Sequence, residues 1–337
     1  MCIRKRLSVW LICVMTAAAV LAGCSSSGSP SPKQVAAKKD DSAGGSTDGT
    51  AAEEAPEEEQ SQESAAGDGA AGDGQDSSGG NGSDSASKGA DTTIEEQVLY
   101  DGDGIRITAK EYVTDSIWGD GIKVLLENDT DNDIMVGCEA LIVNDYMIHD
   151  LFASDVAAGK KANSTIYLSS SELKAAGIEN VGRIEVYFHA YDSDTYDSIF
   201  SGEYAEIETS AVDRMDTKAN DDGMELYNED DIRIVGKTVD EDSFWGAAIL
   251  LYIENNSGRN VGISVDDMSV NGFMMTPYFS TEVYDGKMTL DDITLMSSEL
   301  KENGIETVED VELKFHIYDL SSYETIADSD TITFTAQ

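Results

Sequence analysis

The chain has 337 residues, with 66 Asp and Glu against 22 Lys and Arg, for a formal charge of -44. No basic patch exists to replace phosphate counterions, which excludes nucleic acid as a partner, and anionic membrane or wall-polymer surfaces should repel such a chain. Cations, basic proteins and neutral ligands such as glycans remain compatible with it.

The first elements are targeting signals. Arg4, Lys5 and Arg6 precede an apolar run from Leu7 to Leu21 that is too short for a comfortable membrane span, which is the layout of a secretory signal peptide over residues 1–23. Its end, Leu21-Ala22-Gly23-Cys24, resembles the lipobox of bacterial lipoproteins, where the cysteine receives a diacylglyceryl group. That resemblance implies lipidation at Cys24, removal of Cys2 and Cys13 with the signal, and a location on the extracellular face of the cell membrane. Cys138 is then the one thiol left, so the mature chain has no intramolecular disulfide and relies on apolar cores.

Residues 24–96 are Ser, Gly, Ala, Asp and Glu with almost no aliphatic or aromatic side chains, including "EEAPEEEQ" and "GDGAAGDGQDSSGGNGSDS". Such a stretch cannot bury enough apolar surface to offset the entropy of ordering, and it reads as a disordered, self-repelling tether.

The remainder is a tandem duplication with an offset of 127 residues, from Leu99 matched to Leu226 through to the carboxyl terminus. The matched pieces include "DSIWG" with "DSFWG", "LLEN" with "YIEN", "VNDYM" with "VNGFM", "SSELKAAGIENV" with "SSELKENGIETV" and "FHAYD" with "FHIYD". Repeat 1 spans 97–210 and repeat 2 spans 224–337, with a polar linker at 211–223. Period-two alternation dominates: Ile105, Ile107 and Ala109 face one way, then Ile122, Val124 and Leu126, and the second copy repeats this. Asn271-Gly272 is a hairpin signal. One short helix per copy is expected, capped at Ser170 or Ser297, with Glu172 or Glu299 in the first turn and Gly177 or Gly304 at the end. Six to eight strands and one helix in about 110 residues indicate an all-β fold of two tandem immunoglobulin-like antiparallel sandwiches.

The shared pattern "WG---I", "EN", "VN--M", "SSELK--GI" and "FH-YD" resembles the repeated immunoglobulin-like domain of unknown function found in lipoproteins of Gram-positive, clostridia-like bacteria. The resemblance covers residues 97 to 337. It implies a surface-exposed sandwich and carries over no catalytic residue.

Candidate sites are few. Cys138 aligns with Val265 and reads as a core thiol. Trp118 and Trp245 could stack on a sugar ring, but a tryptophan closing the end of a sandwich is the commoner role. Asp129, Asp131 and Asp133 have the spacing that opens a calcium loop, yet Ile134 and Ala140 stand where the motif needs Gly and Glu. Asp192, Asp194 and Asp197 form a second acidic loop. Tyr146, Met147, Phe273, Met274 and Tyr278 follow the hairpin turn and are candidates for an adaptable apolar binding surface or a contact between the repeats. His189 and His316 fall on the outward face of a duplicated strand, with Ile184, Val186, Phe188 and Ala190 inward. No metal-protease, nucleophile-elbow, phosphate-loop or cysteine-pair motif is present, so neither an enzyme nor a cofactor is expected. The expectation is a lipid-anchored extracellular binding or presentation module, attached to the membrane through Cys24, with an envelope protein or a glycan as partner. A structural spacer, or an accessory subunit of an envelope transporter or enzyme, is the alternative.

Overall fold

The computed structural model describes residues 31–38, 92–115, 118–149 and 152–337. The expected signal peptide, Cys24 and residues 39–91 lie outside the described residues. The described residues are all-β, with two short α-helices and one 3-10 turn at Val212–Arg214.

A strand β1 (Lys33–Ala37) precedes the repeats. Repeat 1 runs β2 (Gln97–Gly102), β3 (Ile105–Asp115), β4 (Gly119–Asn128), β5 (Ile134–Val143), β6 (Tyr146–Ile148), β7 (Ala153–Val156), β8 (Lys161–Tyr167), α1 (Ser170–Ala176), β9 (Arg183–Asp192) and β10 (Ser198–Glu208). Repeat 2 runs β11 (Met224–Glu229), β12 (Ile232–Ser243), β13 (Gly246–Asn255), β14 (Val261–Val270), β15 (Phe273–Met274), β16 (Ser280–Val283), β17 (Lys287–Met296), α2 (Ser297–Glu302), β18 (Asp310–Asp319), β19 (Thr325–Asp328) and β20 (Ile332–Ala336). The order is the same in both, with β10 of the first copy split into β19 and β20 in the second.

In repeat 1 the sheet β2-β3-β4-β8 faces β10-β9-β5, which also carries β6 and β7. Strand alternation drives this arrangement. Ile105, Ile107, Ile122, Val124 and Leu126 from one sheet meet Ile134, Val136, Ile184, Val186 and Phe188 from the other, all essentially excluded from water. Repeat 2 repeats the pattern around Ile232, Ile234, Ile249, Leu251, Ile263, Phe315 and Phe334. The Asn271-Gly272 signal does form a hairpin, with φ of 51° and 83° and Val270 paired with Phe273.

The helices differ from expectation in one detail. Ser170 and Ser297 are their first residues, not caps, and no side chain caps either amino end. Glu172 and Glu299 instead accept the backbone N–H of His149 at 2.8 Å and of Thr276 at 3.0 Å, tying the helix to the loop before it. Gly177 takes the left-handed conformation that ends α1.

One expectation about connections is corrected: the stretch 24–96 is not disordered throughout. Residues 33–37 pair with β12 on one side and β20 on the other, and they bridge the two sheets of repeat 2 along one edge. Thr93 and Ile94 likewise pair with the end of repeat 1, Ile94 opposite Thr209. Ile94 and Val35 occupy corresponding places, since Thr209 aligns with Ala336, the partner of Val35. In repeat 2 the residue aligned with Ile94 is Asp221, which is polar and binds Arg233, so a strand from far upstream takes that place. The polar linker at 211–223 is tied to its neighbours. Ala211 is buried, Asp216 accepts the backbone N–H of Glu179 and Asn180, and Lys237 donates to the Asn220 carbonyl at 2.7 Å and the Asp222 carbonyl at 3.0 Å.

Candidate functional site

Three places hold the polar and aromatic groups singled out by the sequence: the loops at the acidic end of each sandwich, the junction between the repeats, and the tips of the hairpins that carry the tryptophans.

The acidic loop after β4 is organised by Asn128. Its side chain is fully buried; the amide donates to the carbonyls of Asn132 and Val156 at 2.8 and 2.9 Å, and the oxygen accepts from Thr130. Asn255 does the same in repeat 2, toward Arg259, Val283 and Ser257. The repeated "EN" pair was visible in the sequence, but its role was not, because the partners lie across the sandwich. Asp133 accepts the N–H of Ala158 at 2.8 Å, so this carboxylate braces the loop. Asp192 is held below the usual carboxylate range by the backbone N–H of Thr195 and Asp194. Asp129, Asp131 and Asp133 do not converge: among the described residues no group of three or more His, Cys, Asp or Glu is placed to hold a metal ion.

His189 and His316 lie on the outer sheet face, as alternation requires. Each stacks on the tyrosine two residues on, Tyr191 at 6.0 Å and Tyr318 at 5.7 Å between ring centroids. His316 also meets Asp328 at 2.6 Å, and the ring of His189 covers Gly137, where a Cβ would come within 2.5 Å of Nε2. Cys138 is half-buried against the core of repeat 1, in keeping with a structural thiol.

The five residues after the hairpin turn divide between two environments. Tyr146 is 1% exposed and is no part of an open surface; this corrects its assignment as a binding residue. Its ring meets Tyr252 of repeat 2 edge-on at 6.4 Å, and its hydroxyl accepts the N–H of Asn220 at 2.7 Å. Met147 is half-buried beside it, with its sulfur 3.1 Å from the N–H of Tyr284. Here β6 pairs in parallel with β17, Tyr146 with Met288 and Met147 with Thr289, so the two repeats share a sheet. Val235, Tyr252 and Leu290 of repeat 2 belong to the core of repeat 1. By contrast Phe273 (48% exposed), Met274 (66%) and Tyr278 (63%), the equivalent group in repeat 2, stay open to solvent.

Charge locks the same junction. Lys287 of repeat 2 donates to Asp145 at 2.9 Å and to Glu185 at 2.6 Å, and Arg183 donates to Asp145 at 2.5 Å. Asp145 has φ of 70°, a left-handed backbone that its counterpart Gly272 adopts without penalty, so the ion pairs hold a strained residue in place. Burial alone would raise the Asp145 carboxyl, but hydrogen bonds and charge from Lys287 and Arg183 outweigh it and keep the carboxyl low.

A second charged group lies nearby, where His149 meets Glu172 at 3.3 Å and faces Asp291 and Asp292 of β17. The hydrogen bond to Glu172 outweighs burial and raises the imidazole to about 9, while burial raises the Asp291 carboxyl to about 6. These shifts act in the same direction. The His149 contribution is whole below its unfolded value near 6.5 and is lost as pH climbs through about 9. Ionising Asp291 costs stability between roughly pH 4 and about 6. Calorimetry at constant ionic strength should show the melting temperature falling from pH 5 to pH 9.5, and His149→Asn should remove the fall above pH 7. Parallel curves for the two proteins above pH 7 would exclude this role for His149.

The tryptophans differ from the expectation of core residues. Trp118 is 61% exposed and Trp245 40%, each at the tip of the hairpin that joins the second and third strands of its repeat, β3–β4 and β12–β13. Trp118 lies 6.1 Å from Tyr167, and Trp245 is packed edge-to-face with Phe244 at 4.8 Å. Phe244 itself is 82% exposed. These glycine-flanked tips hold large aromatic rings in water, at a cost in exposed apolar surface that the cores do not require.

No family model matches the chain, and no curated protein matches it either. Among solved structures it is similar to a Salmonella enterica SafA pilin in complex with the SafB chaperone, at 10% sequence identity and a TM-score of 0.20, covering 64% of this chain and 88% of that one. Among the described residues no helix is long and apolar enough to cross a membrane.

Proposed function

We propose that this chain is a lipid-anchored extracellular recognition module, held to the membrane through Cys24, that binds a neutral ring-bearing ligand such as a glycan without bond chemistry. The observation that carries the reading is the exposure of a tryptophan at the same hairpin tip in both repeats, each with an aromatic neighbour. A planar ring held by a rigid hairpin offers a large contact area at low entropic cost, and it stacks on the apolar face of a sugar ring without needing charge. A strongly acidic body suits this, because it excludes anionic polymers and leaves neutral ligands unopposed.

Of the three tryptophans, Trp10 lies in the signal, so Trp118 and Trp245 are the reporters of the mature chain. Titration with neutral wall and host glycans should change their emission, and Trp118→Ala or Trp245→Ala should weaken binding at least tenfold, about 1.4 kcal/mol. A flat emission across all glycans, with no binding by calorimetry, would end the glycan reading. Mapping of the anchor is separate: metabolic labelling with a fatty acid should mark the wild-type chain and not Cys24→Ser.

A further inference from the structure

The contact between the repeats is made from one face of repeat 1, the β6 turn, and one edge of repeat 2, the start of β17. Each repeat carries a copy of both. The copy of the β6 turn in repeat 2 is β15, with Phe273 for Tyr146, Met274 for Met147 and Glu312 for Glu185. The copy of the β17 edge in repeat 1 is β8 and the residue before it, with Lys160 for Lys287, Lys161 for Met288, Ala162 for Thr289 and Leu125 for Tyr252. Among the described residues neither copy is used: β15 pairs only with β14, and β8 pairs only with β4.

From the residues left open, we infer that β15 of one molecule docks beside β8 of a second copy of this chain, repeating the junction that joins repeat 1 to repeat 2. Phe273 and Met274, the two residues of β15, are exposed, whereas of their counterparts in repeat 1 this kind of contact covers Tyr146 wholly and Met147 in part. The central ion pair is preserved, since exposed Lys160 would face exposed Glu312 as Lys287 faces Glu185. Half of the backbone groups along an edge strand have no partner in their own sheet, so a parallel pairing at Lys161 and Ala162 satisfies them. Because the two surfaces differ, the contact is heterologous and does not close on itself; copies add in a line, each repeat related to the next as repeat 1 is to repeat 2. Gly272 in place of Asp145 and Ala157 in place of Tyr284 remove one ion pair and one aromatic contact, which makes the contact between molecules weaker than the one within them.

Sedimentation velocity on the mature chain with Cys24→Ser, which removes lipid-driven association, tests this. The weight-average sedimentation coefficient should rise with concentration past that of a dimer. Met274→Lys and Lys160→Glu should each weaken self-association at least tenfold, and both alter exposed side chains outside the cores. Lys160→Glu combined with Glu312→Lys should restore it, since the pair is reversed and not removed. A mixture of the Met274→Lys chain and the Lys160→Glu chain should stop at a one-to-one complex, because each retains one of the two surfaces. A wild-type coefficient that does not change with concentration overturns the inference. Association indifferent to Met274→Lys, or the failure of the charge reversal to restore it, overturns it equally. None of these outcomes depends on the glycan reading.

Discussion

A chain carrying Val35→Asp is expected to lose about 3 kcal/mol of stability, through lost apolar burial and the cost of an unpaired carboxylate in an apolar setting. For a folded body of this size that lowers the melting temperature by roughly 6–12 °C. Val35 is 6% exposed and belongs to the core of repeat 2, although it lies nearly two hundred residues upstream of that repeat's own first strand. Around it, Gln34 and Gln337 exchange backbone hydrogen bonds at 2.6 and 2.8 Å, and Lys33 reaches Glu241 at 3.1 Å. Gly236 leaves the room that Val35 fills. A Cβ there would come within 2.8 Å of the valine; repeat 1, where Ile94 takes the corresponding place, carries Ala109 at this position. Gly236→Ala should therefore destabilise the wild-type chain, and Val35→Ala in the same chain should recover part of that loss, a coupling that a double-mutant cycle measures. Hydrogen exchange at the Gln337 amide should rise in Val35→Asp. If the melting temperature and that exchange rate both stay unchanged, β1 is not part of the core.

The second large effect is expected at Lys287. Replacing it with Met leaves Asp145 and Glu185 facing each other in a largely buried junction, where removing one partner of an ion pair costs about 3 kcal/mol. Asp145 would then keep only Arg183 to hold its left-handed conformation. The repeats should uncouple, so that one calorimetric transition in the wild type becomes two in Lys287→Met. Asp145→Gly added to Lys287→Met should return part of the loss, since it removes both the stranded charge and the strained backbone. A single transition at the wild-type temperature would show that the apolar contact of Tyr146 with Tyr252 holds the junction alone. The same experiment follows the segment 211–223, whose Asn220 touches both Tyr146 and Lys237.

The strand pattern, the duplication and the inward set Ile184, Val186, Phe188 and Ala190 were legible because a strand's alternation is local and a tandem copy is a comparison of the chain with itself. The hairpin at Asn271-Gly272 was legible for the same reason: a two-residue turn is specified by its own two residues. The roles of Asn128 and Asn255 were not, since their carbonyl partners at Val156 and Val283 are joined to them only by the fold.

Composition also misled at two places. "KQVAA" is embedded in a polar, acidic stretch and has one branched apolar residue, too weak a signal to mark a strand; only the slot left open between β12 and β20 gives it a partner. Trp118 and Trp245 belong to a residue type that is usually buried, and hydrophobicity cannot tell an aromatic ring that closes a core from one held in water at a hairpin tip. Sequence by itself determined the all-β class, the two repeats and the inward face of each strand, because those follow from periodicity and self-similarity. Tertiary structure alone decided that Tyr146 and Met147 join the repeats while Phe273 and Met274 remain open. The four residues occupy equivalent places in equivalent strands, and what distinguishes them is whether another repeat packs against that face.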